Sequence, residues 1–392
     1  MNSAQLAAQW EDQVIATRRY LHQHPELSGH EVNTAAYIVE QLSKYPNLEL
    51  SRPCPTGVVA VLHGAKPGRT VAARCDIDAL PVQEVDDSPY KSVTPGVMHA
   101  CGHDGNTAML LTVAKILAEH PEDVSGTIKF LFQPCEEAHD GGSIELVEAG
   151  VLDDVDMIFG THVEATRPAG TFCLKNGATH AAVYAIEITI HGKGGHGGFP
   201  HQCTDNVMVG AEIICALNSI VAKNIDPCKS AVMTITSVQA ADANNIIPET
   251  VVLRGSARVL NPEIEDVITT RIRQISEGIC AAYGVTCEVK LDKGFDVLVN
   301  DDRLVEAARK VLKSEFGDDK VIADGPVLGG EDFRAYLRKC PGCYFKVGTQ
   351  ILRDGVCYPH HHCRFDIDES GLKYGVEAWL ALLTQVQDVL DG

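Results

Sequence analysis

The sequence predicts an α/β protein in which a domain built on a mainly parallel sheet is interrupted by a smaller, ferredoxin-like domain. Three observations lead to this prediction. The chain has 392 residues, more than one core usually organises, so we expect two domains. Strand-like and helix-like segments alternate through the first third of the chain. The middle of the chain follows a different order, βαββαβ.

The alternating pattern near the amino terminus is typical of parallel βαβ units. Short apolar runs rich in β-formers occur at 58–62, 70–73, 127–132 and 157–159, and helix-like segments occupy 106–119 and 143–149. Strands that are separated by helices of this length usually join one parallel sheet. Segments 304–316, 344–347 and 370–389 have helix, strand and helix patterns and are expected to return to the same domain.

The middle of the chain predicts an inserted ferredoxin-like unit. Strand-like segments at 183–190, 232–238, 251–259 and 285–289 are interleaved with helical segments at 206–223 and 263–283. We therefore predict one domain at 1–177 and 291–392, with the inserted domain at 178–290. The inserted domain would have free edge strands, which predicts a homodimer or a higher homo-oligomer formed through it.

Composition excludes several classes of protein. The chain has 33 basic and 53 acidic residues and a formal charge of −20, which disfavours binding to nucleic acid or to anionic membranes. No apolar run approaches the roughly 20 residues of a membrane span. The amino terminus has no secretory pattern, so the 14 cysteines are expected to be reduced thiols in a cytoplasmic protein.

Polar residues with metal-binding chemistry recur where predicted strands end. Asp76 and Asp78 follow one strand, Glu136 and Glu137 follow another, and His162 follows a third. Two further groups are expected to join them, namely Cys101, His103 and Asp104 before a helix and the run His360, His361 and His362. Because the carboxyl ends of strands in such a sheet form one crevice, these side chains are expected to converge there.

The combination of residue types predicts a metal site with hydrolytic chemistry. Cys, His and Glu are the ligands of borderline-soft divalent ions, which activate water and polarise carbonyl groups. Of the adjacent pair Glu136 and Glu137, one carboxylate can bind metal while the other acts as a base. By contrast, His22, His24 and His30 are expected only to end and cap the first helix.

A second possible chemistry involves Cys340 and Cys343, whose spacing is that of thiol oxidoreductases. A redox pair of this kind normally opens a helix after a strand, whereas this one precedes the predicted strand at 344–347. We therefore rank a thiol oxidoreductase last. A non-catalytic metal-binding or ligand-binding module is a further alternative.

Taken together, the motifs resemble those of the aminoacylase, hippurate hydrolase and auxin-conjugate hydrolase family of dinuclear metallo-amidohydrolases. The resemblance covers nearly the whole chain. It rests on R-R-Y-L-H-Q-H-P-E at 18–26, D-I-D-A-L-P at 76–81, M-H-A-C-G-H-D-G-N-T at 98–107, F-Q-P-C-E-E at 132–137, G-T-H-V at 160–163, the glycine-rich segment 192–200, N-I-I-P at 245–248, G-E-D-F at 330–333 and segment 361–369.

The resemblance implies a role for each matching residue. Two divalent ions, Zn2+ or Mn2+ with Co2+ or Ni2+ as further options, would be bridged by Cys101 and completed by His103, Glu137, His162 and His361. Glu136 would be the general base, and His196 of the inserted lid would reach a partner subunit's site to hold the oxyanion. Asn245 and Arg258 would contact the substrate carboxylate. Asp76, Asp78 and Asp104 would support the ligands.

The implied reaction is hydrolysis of the amide bond of a small N-acyl amino acid, and a dipeptidase or carboxypeptidase using the same centre is the alternative. Three positions depart from the family pattern. Asn106 stands where a second His is usual, Gly198 replaces an Ala, and Cys363 replaces a Pro. The last departure leaves His360 and His362 open as alternative ligands to His361. Alignment of the motif on the following Phe365 and Asp366 favours His361.

Overall fold

The computed structural model describes residues 1–138, 141–353 and 355–392. The helices among these residues are α1 (Ser3–Gln9), α2 (Glu11–Gln23), α3 (Val32–Leu42), α4 (His103–Glu119), α5 (Gly142–Glu148), α6 (Asn206–Leu217), α7 (Ser219–Asn224), α8 (Glu265–Ala282), α9 (Asp302–Phe316) and α10 (Ser370–Asp391). The strands are β1 (Leu48–Ser51), β2 (Val58–His63), β3 (Lys66–Asp76), β4 (Ser125–Gln133), β5 (Met157–Glu164), β6 (Phe172–Leu174), β7 (Gly177–His180), β8 (Ala182–His191), β9 (Gly195–His196), β10 (Ala231–Gln239), β11 (Ile246–Ile247), β12 (Thr250–Val259), β13 (Thr286–Phe295), β14 (Leu298–Asn300), β15 (Val321–Ala323) and β16 (Gly342–Gly348).

The chain divides into two compact units. Unit 1 comprises Met1–Gly177, Val299–Gly325 and Asp332–Gly392, and unit 2 comprises Ala178–Leu298 and Pro326–Glu331. The division after residue 177 coincides with the predicted one. The second predicted division, before residue 291, falls inside β13, which pairs with β8 as far as Phe295 and so keeps this segment in unit 2.

Unit 1 contains an eight-stranded sheet in the order β1-β2-β4-β3-β5-β16-β6-β15. The central neighbours β4, β3, β5 and β16 are parallel to one another. Antiparallel strands β1 and β2 extend one side, and β16 pairs with β6 in antiparallel orientation on the other. The predicted α/β fold with a mainly parallel central sheet is therefore confirmed.

Helix α4 forms the centre of the packing in unit 1. Its residues from His103 to Ala118 are all buried, as expected of a helix whose side chains are apolar on every face over most of its length. It packs against β3 and β5 and against helices α2 and α10. The first turn of α4 is therefore held at the carboxyl end of the central strands, where β3 ends at Asp76 and β5 ends at Glu164.

Unit 2 contains a four-stranded antiparallel sheet in the order β10-β12-β8-β13. Inward residues of β8, such as Ile188 and Ile190, pack with Val209 and Ile213 of α6 and Ile268 of α8 in a separate hydrophobic core. This separate core agrees with a unit that folds around its own sheet.

The predicted helix at 206–223 is two helices, because it is interrupted at Asn218, whose side-chain amide donates to the Ile214 carbonyl at 2.8 Å. The combined stretch Asn206–Asn224 has the length and the mean hydropathy (1.3) of a membrane span. Its residues Val209, Ile213 and Leu217 are nevertheless buried in the core of unit 2. The apolar composition is therefore that of a helix packed on a sheet.

Candidate metal centre

A tight turn before α4 places Cys101 and His103 side by side. Gly102 has φ +88°, and a Cβ at this position would lie 2.4 Å from Cγ2 of Val163, so only glycine fits. The turn ends as His103 begins the helix. The Cys101 Sγ lies 3.5 Å from Nε2 of His162.

Asp78 fixes the ring of His103. The Nδ1 of His103 lies 3.0 Å from the carbonyl oxygen of Asp78 and 3.1 Å from its Oδ1, so this nitrogen donates a proton and Nε2 is left as the free lone pair. Oδ2 of the same carboxylate accepts from Ser28 Oγ at 2.7 Å and from the Glu137 backbone N–H at 3.0 Å. Asp78 therefore orients the segments that carry His103 and Glu137 at once.

Glu136 and Glu137 follow β4 in a sharp turn. Cys135, which precedes them, has φ +58°. Oε1 of Glu137 lies 3.1 Å from Nε2 of His361 and 3.8 Å from Nε2 of His103. One oxygen of Glu136, one oxygen of Glu137 and a ring nitrogen of His103 lie within 4.8 Å of one another, so both neighbouring carboxylates reach the cluster.

His162 lies within β5 rather than after it. The sequence predicted a strand that ends at Gly160, but parallel pairing with β16 continues to Glu164 opposite Gly348. The Nδ1 of His162 lies 2.6 Å from the Val163 carbonyl oxygen and donates to it, which directs Nε2 towards Cys101.

Among the three consecutive histidines, His361 is the one whose ring lies in the cluster. It has φ +67°, and its N–H donates to the Ala100 carbonyl at 2.8 Å. Both ring nitrogens of His360 are engaged, with Nδ1 3.1 Å from the Cys101 carbonyl oxygen and Nε2 accepting from Ala165 N–H at 3.4 Å. His362 accepts from the Arg364 N–H at 3.0 Å and stacks on Tyr358.

Potential ligand atoms within 4.8 Å of one another form overlapping groups among the described residues. They include Cys101 with His103 and His162, Cys101 with Glu137 and His361, and His103 with Glu136 and Glu137. Nε2 of His103 is buried and has no hydrogen-bond partner within the part of the chain that the structure describes. Buried polar atoms are usually satisfied, so this orphaned nitrogen and the soft donor set fit a divalent metal.

The pKa shifts of Cys101 and His103 both reflect the negative charge of neighbouring carboxylates. Burial and the charge of Glu137 raise the pKa of the Cys101 thiol well above its ordinary value. Burial opposes the charged form of His103, but Asp76, Cys101 and Asp78 together outweigh it and raise the pKa of the ring well above its ordinary value. A divalent cation would reverse both tendencies, because metal ligation requires thiolate and neutral imidazole.

Asp76 is held by a buried network that sequence reasoning only partly anticipated. Arg74 is fully buried and donates to Asp76 Oδ2 at 2.9 Å, to Gln133 at 2.7 Å and to Asp332 at 2.7 Å. Asn106 donates to Asp76 Oδ1 at 2.7 Å and accepts from Val163 N–H at 2.9 Å. Both ends of the Asn106 amide are used in this way, in line with a supporting role for this position.

A second buried network lies around Asp104 and includes residues that the sequence did not single out. Oδ2 of Asp104 accepts from Arg18 at 2.7 Å and lies 2.8 Å from Nδ1 of His22. Arg18 also binds Asp366 at 2.8 Å, which ties α2 to the segment that follows His361. The expectation that His22 only ends the first helix is therefore wrong. His22 follows Arg18 by four residues on α2, which places both side chains on one face of the helix. This spacing was the signal in the sequence that could have predicted their shared network.

The remaining predicted site residues belong to unit 2. His196 lies in β9, which pairs with β11 so that His196 is opposite Ile246. The Asn245 carbonyl accepts from Gly197 N–H at 2.8 Å, so the structure brings His196 and Asn245 into one local loop pair. Arg258 lies on β12 and donates to the Leu328 carbonyl at 2.7 Å.

The thiols considered for redox chemistry lie in another setting. Cys343 is buried inside β16, and burial raises its pKa above the ordinary value and that of Cys340 to about 12. Reactive thiols have lowered pKa values, so this pair lacks the environment that redox chemistry needs.

Residues 72–385 match the family model described as peptidase family M20/M25/M40. The chain belongs to this family. It is 40% identical to thermostable carboxypeptidase 2 of Saccharolobus solfataricus over 371 residues, which cover 94% of each chain. It is 43% identical to an N-acyl-L-amino acid amidohydrolase of Geobacillus stearothermophilus, over 74% of this chain and 78% of that one.

A solved structure of a dinuclear metal-binding peptidase of family M20 from Bacillus subtilis superposes with a TM-score of 0.86. The two sequences are 33% identical, and the match covers 97% of this chain and 99% of that one. The resemblance noted from the motifs is therefore confirmed at the level of family. As an M20 member, the protein is a metal-dependent hydrolase that acts on amide bonds.

Proposed function

We propose that this M20 hydrolase cleaves the amide bond of N-acyl amino acids, releasing a carboxylic acid and a free amino acid. The observation that carries this proposal is the cluster of Cys101, His103, His162 and His361 around the adjacent carboxylates of Glu136 and Glu137. The relative from Geobacillus stearothermophilus, which is named for this activity, supports the choice of substrate class.

In this proposal two divalent ions would be held by Cys101, His103, Glu137, His162 and His361. When bound, the metal, Zn2+ or Mn2+ with Co2+ or Ni2+ as alternatives, would supply Lewis-acid chemistry that lowers the pKa of water and polarises the substrate carbonyl. Asp78 keeps His103 in the tautomer that presents Nε2, and the carbonyl of Val163 does the same for His162.

Glu136 is the proposed general base. Its carboxylate takes a proton from the attacking water and later delivers it to the leaving nitrogen, which would otherwise depart as an unstable amide anion. Its neighbour Glu137 is the proposed metal ligand. In the turn after β4, metal binding and proton transfer are therefore assigned to two adjacent side chains.

Unit 2 supplies the proposed substrate contacts and the partner contact. His196 accepts a hydrogen bond from Gly198 N–H through Nδ1 at 3.0 Å, which leaves Nε2–H to stabilise the oxyanion of the tetrahedral intermediate. Asn245 and Arg258 are proposed to bind the substrate carboxylate. We further propose that unit 2, with its βαββαβ order, is a ferredoxin-like lid through which two copies dimerise.

A peptidase activity is the second candidate, because the Saccharolobus solfataricus relative is named a carboxypeptidase. A substrate panel separates the two. The metal-loaded enzyme is assayed with N-acetyl and N-benzoyl amino acids, with dipeptides, and with N-acyl amino acid amides that lack the free carboxylate.

We expect kcat/KM for the best N-acyl amino acid to exceed that for every dipeptide. We expect it to fall by roughly 10³-fold when the carboxylate is blocked, because the charge-assisted hydrogen bonds proposed for Asn245 and Arg258 are then lost. A dipeptide as the best substrate would favour peptidase activity. No turnover of either class would contradict the proposal.

A further inference from the structure

The residue before Glu136 is held in a conformation that side chains with a Cβ rarely adopt. Cys135 has φ +58°, in the left-handed region, and His361 of the ligand cluster is the other non-glycine residue with positive φ within the described ranges. A conformation of this kind persists where the surroundings impose it. Its location one residue from the proposed base calls for a specific cause.

The carboxylate of Glu31 is the contact that fixes this residue. Oε1 of Glu31 accepts from the Cys135 N–H at 2.8 Å and from the Gly29 N–H at 2.8 Å. The Cys135 carbonyl in turn accepts from Gly142 N–H at 2.9 Å. Both peptide groups of Cys135 are therefore held, and the side chain of Glu31 holds the one on the amino-terminal side.

Glu31 is anchored independently of the catalytic turn. It is 0% exposed and precedes α3, where its own carbonyl accepts from Ala35 N–H at 2.9 Å. Burial raises the pKa of its carboxyl above the ordinary value. A buried carboxylate destabilises the fold unless its hydrogen bonds compensate, and for Glu31 the N–H groups of Gly29 and Cys135 provide these bonds.

The turn is clamped on both sides of Glu136. Glu31 holds the N–H of Cys135, and Asp78 Oδ2 holds the N–H of Glu137 at 3.0 Å. The backbone of Glu136 lies between these two fixed peptides. A rotation at Cys135 would swing the Glu136 side chain relative to the ligands, whereas Glu137 would keep its anchor on Asp78.

We infer that Glu31 is a positioning residue that holds Cys135 in the left-handed conformation and thereby aims the carboxylate of Glu136. This inference rests on the proposed role of Glu136 as the general base. Glu136 and Glu137 belong to the same turn, but loss of Glu31 is expected to disturb proton transfer by Glu136 more than metal binding by Glu137.

The test compares steady-state kinetics, metal content and melting temperature for variants at Glu31. In Glu31→Ala the acceptor is lost, and kcat is expected to fall about 10- to 100-fold, because a small displacement of a catalytic group has effects of this order. KM is expected to stay within about twofold of its original value and metal content to be unchanged. Glu31→Gln keeps a carbonyl oxygen as acceptor and is expected to retain kcat within about threefold.

A second substitution distinguishes positioning from general stabilisation. Glycine adopts the left-handed conformation without the steric penalty. Cys135→Gly is therefore expected to raise kcat about tenfold in the Glu31→Ala background. In the unmutated background it is expected to leave kcat equal or lower, because glycine loosens a turn that is already held. A purely structural role for Glu31 would give no such rescue.

Glu26 provides the matched control. Its carboxylate lies in the same loop, and among the described residues its hydrogen bonds come from the start of α3, from the Asn33 side chain and from the N–H of Thr34 at 2.8 Å. Glu26→Ala is expected to lower the melting temperature while leaving kcat within about twofold. Equal losses of kcat in Glu26→Ala and Glu31→Ala, or no rescue by Cys135→Gly, would overturn the inference.

Two further arms keep the outcomes distinct. If Glu31→Ala does not fold, Cys135→Val is assayed in its place, because a β-branched residue resists positive φ. A kcat of Cys135→Val equal to that of Cys135→Gly would then refute the inference. Glu136→Gln is assayed in parallel. Full activity of Glu136→Gln would remove the proposed base itself, whereas an inactive Glu136→Gln beside a fully active Glu31→Ala would remove only the role of Glu31.

Discussion

At the scale of single residues, the centre depends on which nitrogen of each histidine is left free. The Nδ1 atoms of His103 and His162 are engaged by oxygens of Asp78 and Val163, so both rings present Nε2 to the cluster. His361 presents Nε2 to Glu137 at 3.1 Å because its backbone has positive φ. Neighbouring contacts therefore fix the donor atoms, and the residue types alone would not.

The arrangement of the three consecutive histidines follows from the same principle. His360 uses one ring nitrogen on the backbone of Cys101 and the other on Ala165, and burial lowers its pKa to about 3, so it is neutral at physiological pH. It contacts the ring of His162 edge-on, with ring centroids 5.3 Å apart. His360 therefore packs against His162 and the backbone of Cys101, whereas the ring of His361 lies among the candidate ligand atoms.

At the scale of secondary-structure elements, α2 and α4 are joined by a buried ion pair next to the centre. Arg18 of α2 and Asp104 of α4 are both 0% exposed and lie 2.7 Å apart. Burial opposes the charge on Asp104, yet Arg18 and His22 outweigh it and hold the pKa of this carboxyl well below its ordinary value. The first turn of α4, which carries His103, is thereby fixed to the amino-terminal helix.

We expect Arg18→Met to lower the free energy of unfolding by about 3–5 kcal/mol, because the buried charge of Asp104 loses its guanidinium partner and keeps the His22 ring as a weaker one. The low pKa of Asp104 contributes stability above the unfolded value of about 3.9 and loses it as the pH falls. In Arg18→Met the carboxyl can accept a proton at higher pH, so the deficit should shrink between pH 7 and about pH 4. Denaturant unfolding at both pH values measures this.

The adjacent Arg19 is the control for this prediction. It binds the same Glu369 as Arg18 does but is 47% exposed. Arg19→Met is expected to change stability by only about 0–1 kcal/mol, with little dependence on pH. Equal effects of the two substitutions would mean that burial of the Arg18 pair is not what stabilises α2 against α4.

The sequence predicted which elements exist better than where they end. Apolar runs indicated the buried parts of β5 and β13, but pairing with β16 and β8 extends both strands into polar residues. Local composition carries no information about such long-range pairing. Likewise, the motifs marked Cys101 and His103 as candidate site residues. The hydrogen bonds of Arg18, by contrast, join residues up to 351 positions apart, and spacing along the sequence could not predict them.

At the scale of the whole molecule, the chain enters unit 2 twice and returns to unit 1 each time, and each unit has its own core. The prediction of an insertion rests on the change from alternating segments to βαββαβ order in the sequence. The return of Pro326–Glu331 to unit 2 was not predictable, because it depends on backbone contacts such as Ala181 N–H to the Gly329 carbonyl at 3.0 Å.

The proposed homodimer follows from surfaces of unit 2. Strand β10 is an edge of its sheet and exposes Val232 and Val238, and α6 exposes Val207 and Met208. Edge strands and exposed apolar side chains are sites of association. We expect a sedimentation mass of twice 42.3 kDa at micromolar concentration, and charged substitutions at Val232 and Val238 should shift it towards one chain. A mass of 42.3 kDa for the unmodified protein would contradict the dimer.

The central claim is that Glu136 and Glu137 divide proton transfer and metal binding between them. The most direct test measures metal content and turnover of an N-acyl amino acid on the same samples of Glu136→Gln and Glu137→Gln. We predict that Glu136→Gln retains its metal and loses about 10²–10⁴-fold in kcat, as expected for loss of a general base. We predict that Glu137→Gln loses metal as well as activity. Near-normal turnover of metal-loaded Glu136→Gln would contradict the account.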